Sequence, residues 1–266
     1  MIITEKRSVV IADAYCDEKL NGVRADVVRR NQCFQPAPGF RYAPFRTLVL
    51  DLTKPQEALL EKIDQATRYK IRRAEKDGLS TDMFRGPSSE TALPEFCEFF
   101  HQCASLIGLP PADRGRLAAL ARCGSLVLSR ATKDGDALAW HVYYVDAQRA
   151  VQLYSMASQR LSSDPGQRQV IGRANRYLHW QDILQFKAEG LSVFDFGGWY
   201  NGKEDKGLLQ INQFKEEFGG NNVEVYNSIE GKTVKGKLAV WYLQRRSSTT
   251  SQSRDGSDKN AVKGQR

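Results

Sequence analysis

The sequence predicts a mixed α/β fold with a mostly antiparallel central sheet and helices on both faces. Three apolar segments at 125–131, 137–145 and 150–156 follow one another closely, joined by the turns Asp134-Gly135 and Asp146-Ala147. That spacing is typical of an antiparallel meander. A helical segment and a short buried strand then complete a β-helix-β unit. Such a unit adds a parallel strand and covers the sheet with a helix, which gives the mixed sheet.

The remaining elements are predicted from hydrophobic period and from start and stop signals. Thr53 and Pro55 begin a helix that runs to Lys76 and ends at Asp77-Gly78. Further strands are predicted at 8–14, 45–52, 79–84, 193–196 and 222–227, and further helices at 88–106, 114–122, 168–188, 205–218 and 234–245. Prolines and a glycine make 35–44 a loop.

Composition divides the chain into three parts. Residues 1–46 are predicted to be an N-terminal strand and loop extension, 47–246 the main domain, and 247–266 a disordered tail rich in Ser, Thr, Gln, Gly and Lys. Because no apolar run is long enough to span a bilayer and no secretory signal is evident, we expect no membrane span and a cytoplasmic protein. The five cysteines show no C-x-x-C spacing, so neither a disulfide framework nor a metal site is expected.

The net charge of +8 and the pI of about 9.2 favour a polyanionic partner such as tRNA, a nucleotide-sugar or a coenzyme with phosphates. The basic helix end from Arg68 to Lys76 could hold a diphosphate or a nucleic-acid backbone, with Arg68 and Arg72 as contacts. The alternative is a solvated face, and a solvated C-terminal tail explains much of the excess charge.

The most informative segment is Asp195-Phe196-Gly197-Gly198, a strand that ends in two glycines. Open α/β sheets bind ligands at such strand ends, and glycine permits close approach of the backbone to a substrate. The alternative is a tight turn that needs a positive φ. Downstream stands the motif F-K-x-x-F-G-G, from Phe214 to Gly220.

These two motifs, with the basic segment 68–79 and the helix 174–190 that precedes the strand, resemble the Fem family of aminoacyltransferases, the FemA, FemB and FemX type. The resemblance spans roughly residues 48–226. It implies an acetyltransferase-like (GNAT) fold and the transfer of an aminoacyl group to an amine, as in the synthesis of peptidoglycan cross-bridges. This chain is shorter than the best-known members and shows no long helical arm, so other amine acceptors, including amino sugars, come into question.

The resemblance implies that Lys215, the lysine of the F-K pair, lies at the acyl-transfer site. A cation there could stabilise the developing oxyanion, whereas the alternative is a solvated helix lysine. Asp195 could orient the amine or accept its proton, or it could merely cap the Gly197-Gly198 turn. Phe214, Gly197, Gly198 and Trp199 are expected to bind substrate.

The segment Gln169-Val170-Ile171-Gly172-Arg173-Ala174 fits Q/R-x-x-G-x-G/A, the pyrophosphate loop of acyl-CoA-dependent acetyltransferases. Backbone N–H groups at a helix N-terminus can cradle phosphates, which makes Gln169, Gly172, Arg173 and Ala174 candidate coenzyme-binding residues. Alternatively, Gly172 is an ordinary helix residue. His179 could bind substrate, although core packing is the more common role for such a residue.

The sequence therefore predicts an N-acyltransferase without a tightly bound cofactor or metal, using aminoacyl-tRNA or acyl-CoA as donor. The expected acceptor is an amine-bearing small molecule or a nucleotide-linked sugar, in cell-wall or surface-polysaccharide synthesis. Two alternatives stay open. One is an acyl-CoA-dependent N-acetyltransferase of amino sugars or small amines, and the other is a non-catalytic module that binds a nucleotide-sugar or RNA.

Overall fold

The computed structural model of the protein describes residues 2–6, 8–15, 22 and 24–251. The strands are β1 (Ile2–Lys6), β2 (Val9–Tyr15), β3 (Val27–Cys33), β4 (Arg41–Asp51), β5 (Ser80–Arg85), β6 (Leu126–Lys133), β7 (Asp136–Val145), β8 (Arg149–Ala157), β9 (Val193–Gly198) and β10 (Asn221–Gly231). The helices are α1 (Gln56–Lys62), α2 (Gln65–Lys76), α3 (Pro87–Ser105), α4 (Arg114–Arg122), α5 (Pro165–Ala188), α6 (Lys206–Glu216) and α7 (Val234–Ser251), with a 3₁₀ turn at Ser158–Leu161.

The chain divides into two compact units. The first unit contains the described residues up to Thr47 and those from Val223 onward. Its strands lie in the order β1-β2-β3-β10, with β2 and β3 parallel and the two outer pairs antiparallel. The predicted division at residues 46 and 246 stays a prediction. Helix α7 extends to Ser251, and the rest of the predicted tail lies outside the described residues.

The second unit, Leu48–Asn222, contains the predicted meander. Its strand order is β4-β9-β8-β7-β6-β5. Neighbouring strands from β5 to β8 pair antiparallel, and β8 pairs with β9 in parallel. The predicted mixed, mostly antiparallel α/β fold is therefore confirmed, and the turns at Asp134-Gly135 and Asp146 connect the strands as expected.

The parallel pair β8–β9 separates after a short stretch of pairing. The register runs from Arg149 opposite Val193 to Val151 opposite Asp195, although β8 continues to Ala157 and β9 to Gly198. The two strands diverge beyond this point. Side chains from the part of β8 that does not pair with β9 line a cavity. Parallel α/β sheets commonly bind ligands where neighbouring strands separate at their carboxyl ends.

Helix α5 is the long helix that packs across the meander, against β6, β7 and β8. Its buried residues recur at helical spacing and include Ile171, Leu178, Ile183 and Phe186. Ile183 and Phe186 pack in one core cluster with the strand residue Phe194, and Ile171 and Leu178 belong to a second cluster. Burying each such side chain contributes roughly 1.5–3 kcal/mol, so this face of α5 fixes the helix on the sheet.

Two helix boundaries differ from the prediction. The predicted helix from Thr53 to Lys76 is two helices, because the chain is extended at Ile63 and Asp64 caps α2 by accepting hydrogen bonds from Ala66 N and Thr67 N. Helix α5 begins at Pro165 rather than near Arg168, with Asp164 as its N-cap. Both starts follow an aspartate, a favoured N-cap residue, and Pro165 occupies the first helical position where proline fits.

The first forty-five residues contain more strand than the sequence indicated. Only β2 was predicted there, and the structure adds β1, β3 and the early start of β4 at Arg41. Strand β3, Val27–Cys33, lacks alternation of apolar and polar residues beyond its first two positions, so its pattern gave no strand signal. Within the described residues, no helix combines the length and apolarity that crossing a membrane requires.

Candidate active site

A cavity of about 270 Å³ lies in the second unit beside the diverging ends of β8 and β9. Strand β8, the 3₁₀ turn, and helices α3, α5 and α6 supply its walls. The described residues that line it are Cys103, Ile107, Gln152, Ser155, Met156, Ala157, Gln159, Arg160, Asn175, His179, Gly207, Gln210, Ile211, Phe214 and Lys215. No acidic side chain is among these, so the cavity combines an apolar wall with neutral amides and two cations.

Lys215 is buried at this cavity, with only 3% of its surface exposed. Its Nζ donates hydrogen bonds to the carbonyl oxygens of Gly198, at 2.5 Å, and Gly197, at 3.4 Å. Burial lowers the pKa of Lys215 to about 7, and the nearby Asp195 carboxylate only partly opposes this. The solvated-lysine alternative is therefore wrong, and Lys215 is a buried amine that changes protonation state near neutral pH.

Asp195 is fully buried and forms an ion pair with buried Arg149. Its Oδ1 also accepts a hydrogen bond from Gly197 N at 2.7 Å, so it caps the glycine turn as the structural alternative expected. Asp195 is absent from the described lining of the cavity. A direct catalytic role for this carboxylate stays a prediction, whereas its structural contacts are formed.

The predicted substrate-binding residues around the turn are divided between cavity and core. Phe214 lines the cavity. Gly197 adopts a φ of +70°, which glycine tolerates and other residues rarely do, and this turn aims the two carbonyls at Lys215. Gly198 is buried and supplies the shorter of those contacts. Trp199 is partly buried and packs against the hydrophobic core rather than among the described residues of the cavity.

The end of the F-K-x-x-F-G-G motif joins α6 to the neighbouring helices. Glu217 accepts hydrogen bonds from Arg176 and Thr67, and Phe218 is in the core. Gly219 has a φ of +75°, and a Cβ there would lie 2.5 Å from the carbonyl oxygen of Lys62. The motif therefore fixes the orientation of α6, which in turn holds Lys215 at the cavity.

A buried polar network lies behind the cavity wall. Asp182 on α5 accepts hydrogen bonds from Ser129, at 2.9 Å, and Tyr143, at 2.7 Å, and contacts His141 Nδ1 at 2.8 Å. On its other side, His141 Nε2 lies 2.9 Å from the side-chain oxygen of Asn175, which lines the cavity. Burial raises the pKa of Tyr143 well above its usual value, so its hydroxyl stays protonated and donates to Asp182.

His179 belongs both to this network and to the aromatic core. Its ring stacks on Phe196 and contacts Phe214 and Phe218, with centroids 5.2–5.5 Å apart. Its Nδ1 lies 2.9 Å from the carbonyl oxygen of Asn175, and the side chain also lines the cavity. Burial, with the neighbouring His141, lowers the pKa of His179 well below its usual value, so the ring is neutral. His179 therefore packs in the aromatic core and also borders the cavity.

Sequence reasoning missed Gln152, Asn175, His141, Tyr143 and Asp182. A signal for part of this group exists in α5. Asn175, His179 and Asp182 share the helical stripe of the buried apolar residues, and polar side chains on such a stripe indicate a hydrogen-bonded interior or a site.

The predicted coenzyme segment lies inside α5, which corrects its placement at the helix start. The backbone N–H of Arg168 already bonds Asp164 O, so residues from Gln169 onward have partners within the helix. This removes the free backbone donors on which a phosphate cradle depends. Gly172 instead gives room to Gln159, because a Cβ there would lie 2.7 Å from Gln159 Nε2. Ala174 is buried in the core.

A basic groove of about 540 Å³ lies between α2 and α5. Tyr69, Lys70, Arg168, Gln169 and Arg173 line it, and no acidic residue is among its described lining. Arg173 also pairs with Asp77 at 2.6 Å. Gln159 lines both this groove and the cavity, so the two are adjacent. Coenzyme binding by Gln169, Gly172, Arg173 and Ala174 stays a prediction; of these four residues, Gln169 and Arg173 have polar side chains at the groove.

Arg68 and Arg72, the predicted polyanion contacts on α2, line neither the cavity nor this groove among the described residues. Arg68 donates to the carbonyl oxygens of Leu60 and Glu61 at the end of α1, both at 3.4 Å. Arg72 is exposed on the outer face of α2. Across the part of the chain that the structure describes, no cluster of three or more His, Cys, Asp or Glu could hold a metal ion.

Comparison with solved structures bears on the fold. The chain superposes on FemX with a TM-score of 0.60 at 14% identity, covering 77% of this chain and 72% of that one. It also superposes on the C-terminal domain of a protein assigned as a lysylphosphatidylglycerol synthetase from Agrobacterium fabrum, with a TM-score of 0.50 at 14% identity, covering 90% and 86%. No family model matches the sequence, and no curated protein matches it.

These likenesses confirm the predicted resemblance at the level of fold: the chain has a Fem-like fold. At such low identity the fold alone does not assign donor, acceptor or catalytic residues. Those assignments depend on the chemistry of the cavity.

Proposed function

We propose that the protein is an N-acyltransferase that joins an activated acyl or aminoacyl group to an amine. The observation that supports this best is buried Lys215, with a pKa of about 7, at a cavity beside the separation of β8 and β9. Acyl transfer to an amine develops negative charge on the carbonyl oxygen. A preorganised, water-poor cation is suited to stabilise that charge.

The proposed reaction is a nucleophilic substitution at the acyl carbon of the donor. The neutral amine attacks the acyl carbonyl carbon, so a C–N bond forms and a tetrahedral oxyanion develops near Lys215. Collapse of this intermediate breaks the bond from carbon to the oxygen or sulfur of the donor, and the proton lost by the amine goes to that leaving group. The cavity would hold donor and amine in contact, which itself supplies much of the rate.

The basic groove between α2 and α5 is the proposed binding site for the donor's phosphates. Lys70, Arg168 and Arg173 present cations there, and Gln159 connects the groove to the cavity. Both candidate donors carry phosphates, close to the acyl ester in aminoacyl-tRNA and at the far end of the pantetheine arm in acyl-CoA, and the groove is proposed to hold the phosphates of whichever donor is used. The exposed ring of Tyr69, at 63% exposure, is placed for stacking on a base.

The acceptor is proposed to be an amine-bearing small molecule or a nucleotide-linked amino sugar, in cell-wall or surface-polysaccharide synthesis, within the cytoplasm. This part of the proposal derives from the resemblance to the Fem family. The cavity is compatible with it, since neutral amides and a buried cation form its polar wall.

The test is to titrate the purified protein with acetyl-CoA and, separately, with charged and uncharged tRNA, followed by a transfer assay with a panel of amines. Binding of acetyl-CoA that is lost in a charge-reversed Arg168→Glu variant would indicate a coenzyme donor. Selective binding of charged tRNA would indicate an aminoacyl donor. Absence of both binding and transfer would contradict the proposal, and tight binding without transfer would favour a binding module.

A further inference from the structure

The side chain of Gln152 is held in one orientation at the wall of the cavity. Gln152 lies on β8, one residue beyond the last pairing with β9, and is only 3% exposed. The register of β7 and β8 places Tyr143 opposite Gln152 and Val142 opposite Tyr154, so Leu153 is an extra residue and β8 has a bulge there. Bulges of this kind redirect side chains next to functional sites.

Two neighbours fix which end of the amide faces the cavity. Gln152 Nε2 lies 3.0 Å from His179 Nε2 and 3.3 Å from the Tyr143 hydroxyl. Tyr143 donates its own hydrogen to Asp182, so towards Gln152 it acts as an acceptor. His179 is a neutral ring whose Nδ1 faces the carbonyl oxygen of Asn175, so its Nε2 is also an acceptor. Both contacts therefore require the NH₂ end of Gln152.

The remaining polar atom of the side chain is the carbonyl oxygen. Among the described residues, the hydrogen bonds formed by the Gln152 side chain both use its nitrogen, and the residue lines the cavity. The amide oxygen is thus the polar atom of this side chain that is left to bind whatever occupies the cavity. A ligand that displaces water from an acceptor without offering a donor loses a hydrogen bond, so a ligand with an N–H group is favoured there.

We infer that Gln152 is the amine-binding residue of the cavity, with its carbonyl oxygen accepting a hydrogen bond from a primary amine of the substrate. A neutral acceptor suits this role better than a carboxylate. A carboxylate would favour the ammonium form of the amine, which cannot attack a carbonyl. With no acidic side chain in the described lining and with Lys215 nearby, the cavity favours the reactive neutral amine.

This inference deepens the proposed function, since it names how one substrate group is held. The amine could be the nucleophile of the acceptor or the α-amine of an aminoacyl donor, and both offer the same N–H chemistry. The network behind Gln152 makes Tyr143 and His179 positioning residues, because they set the amide orientation. Tyr143 does so from behind the wall, outside the described lining of the cavity.

The experiment compares matched ligands that differ by one amine, with binding measured calorimetrically at a pH where the amine is neutral. The acceptor pair is glucosamine and 2-deoxyglucose. The donor pair is the alanyl and propionyl amides of 3′-amino-3′-deoxyadenosine. The proteins are the natural chain, Gln152→Met, and the control Gln213→Met, which replaces an exposed glutamine of α6 outside the described lining of the cavity.

We expect the amine-bearing member of at least one pair to bind about tenfold more tightly to the natural chain, as a hydrogen bond of this kind supports. The ratio should fall to near one in Gln152→Met and persist in Gln213→Met. The pair that shows the effect identifies the source of the amine. A ratio that survives in Gln152→Met, or a ratio near one for both pairs in the natural chain, would overturn the inference.

A second variant covers the case in which Gln152→Met does not fold. Tyr143→Phe removes one of the two acceptors that orient the amide and leaves the described cavity wall intact. It should reduce the amine preference about threefold, whereas a preference unchanged from the natural chain would contradict the assigned orientation. Because binding is measured without turnover, amine preference without any transfer would refute the proposed function alone, and transfer without amine preference would refute this inference alone.

Discussion

The second unit contains two groups of cations that differ in solvent exposure. Arg149 and Lys215 are almost completely buried, at 2% and 3% exposure, and each is held by oxygen atoms of β9 or the turn that ends it. The cations on the outer face of α2, such as Arg72 and Lys76, are exposed to water. Water and salt screen the second group, whereas burial lowers the pKa of Lys215 to about 7. In the sequence, both groups are simply positively charged residues. Their difference in burial, and therefore in pKa and screening, is visible only in the structure.

The largest expected effect comes from breaking the buried ion pair. Asp195→Asn removes the carboxylate that pairs with Arg149 while that arginine stays buried. We expect the free energy of unfolding to fall by about 3–5 kcal/mol, measured from the urea midpoint with an unchanged slope. The control is Asp51→Asn, which removes an exposed carboxylate paired with Lys54 and should cost under about 1 kcal/mol. Equal losses of unfolding free energy in the two variants would contradict the distinction between buried and exposed charges.

Lys215→Met should reduce the rate of acyl transfer by about 100- to 1000-fold, as the loss of an oxyanion-stabilising group does. The thioether preserves most of the buried volume, so circular dichroism should show a folded protein. Lys206→Met, at the exposed start of the same helix, serves as the control and should leave the rate unchanged. A Lys215→Met protein with the full transfer rate would remove Lys215 from the mechanism.

The pH dependence tests the protonation state directly. The pKa of Lys215 is lowered to about 7, so the cation is present below that pH and is lost as the pH rises through it. The ratio of the natural rate to the Lys215→Met rate should therefore decline by up to about tenfold per pH unit above pH 7. Titration of the acceptor amine affects both proteins and cancels in this ratio. A ratio that stays constant from pH 6 to 9 would mean that the charge of Lys215 is not used.

The exposed cations of α2 should give the smallest effect. If tRNA crosses this face, Arg72→Ala weakens its binding a few-fold and lowers the slope of log K against log salt by about one. Binding of acetyl-CoA should be unaffected. Arg122→Ala on α4 also removes an exposed arginine and should change neither quantity. A loss of more than about tenfold at Arg72 would show that these charges form a site rather than a screened surface.

Much of the second unit could be predicted from the sequence, because strands and helices there have clear apolar periods and glycine or proline boundaries. Predictions failed where one residue decides a boundary. Asp64 begins a second helix inside a segment with continuous helical period, and Asp164 starts α5 ahead of the predicted position. The latter shift moved Gly172 from a helix start to a helix interior, which changed its structural role.

The site was predicted only in part, for a physical reason. Lys215 and the two glycines stand in a recognisable motif, and the structure joins them by hydrogen bonds. Gln152 stands in no motif. Its orientation arises from residues on β7 and α5 that are distant in sequence and meet only after packing. The orientation of such an amide is a product of tertiary structure, and local sequence pattern does not reveal it.

Helix α5 contributes residues to the groove, the cavity wall and the buried network. Its 24 residues span about 36 Å. Arg168 of the groove, Asn175 and His179 of the cavity wall, and Asp182 of the network all lie on this one helix. Their spacing is set by the pitch of one continuous helix, so under the proposed function the helix would fix the distance between the donor's phosphates and the reacting carbon. Longer or shorter acyl chains would then have to be accommodated by α3 and α6, which form the opposite walls.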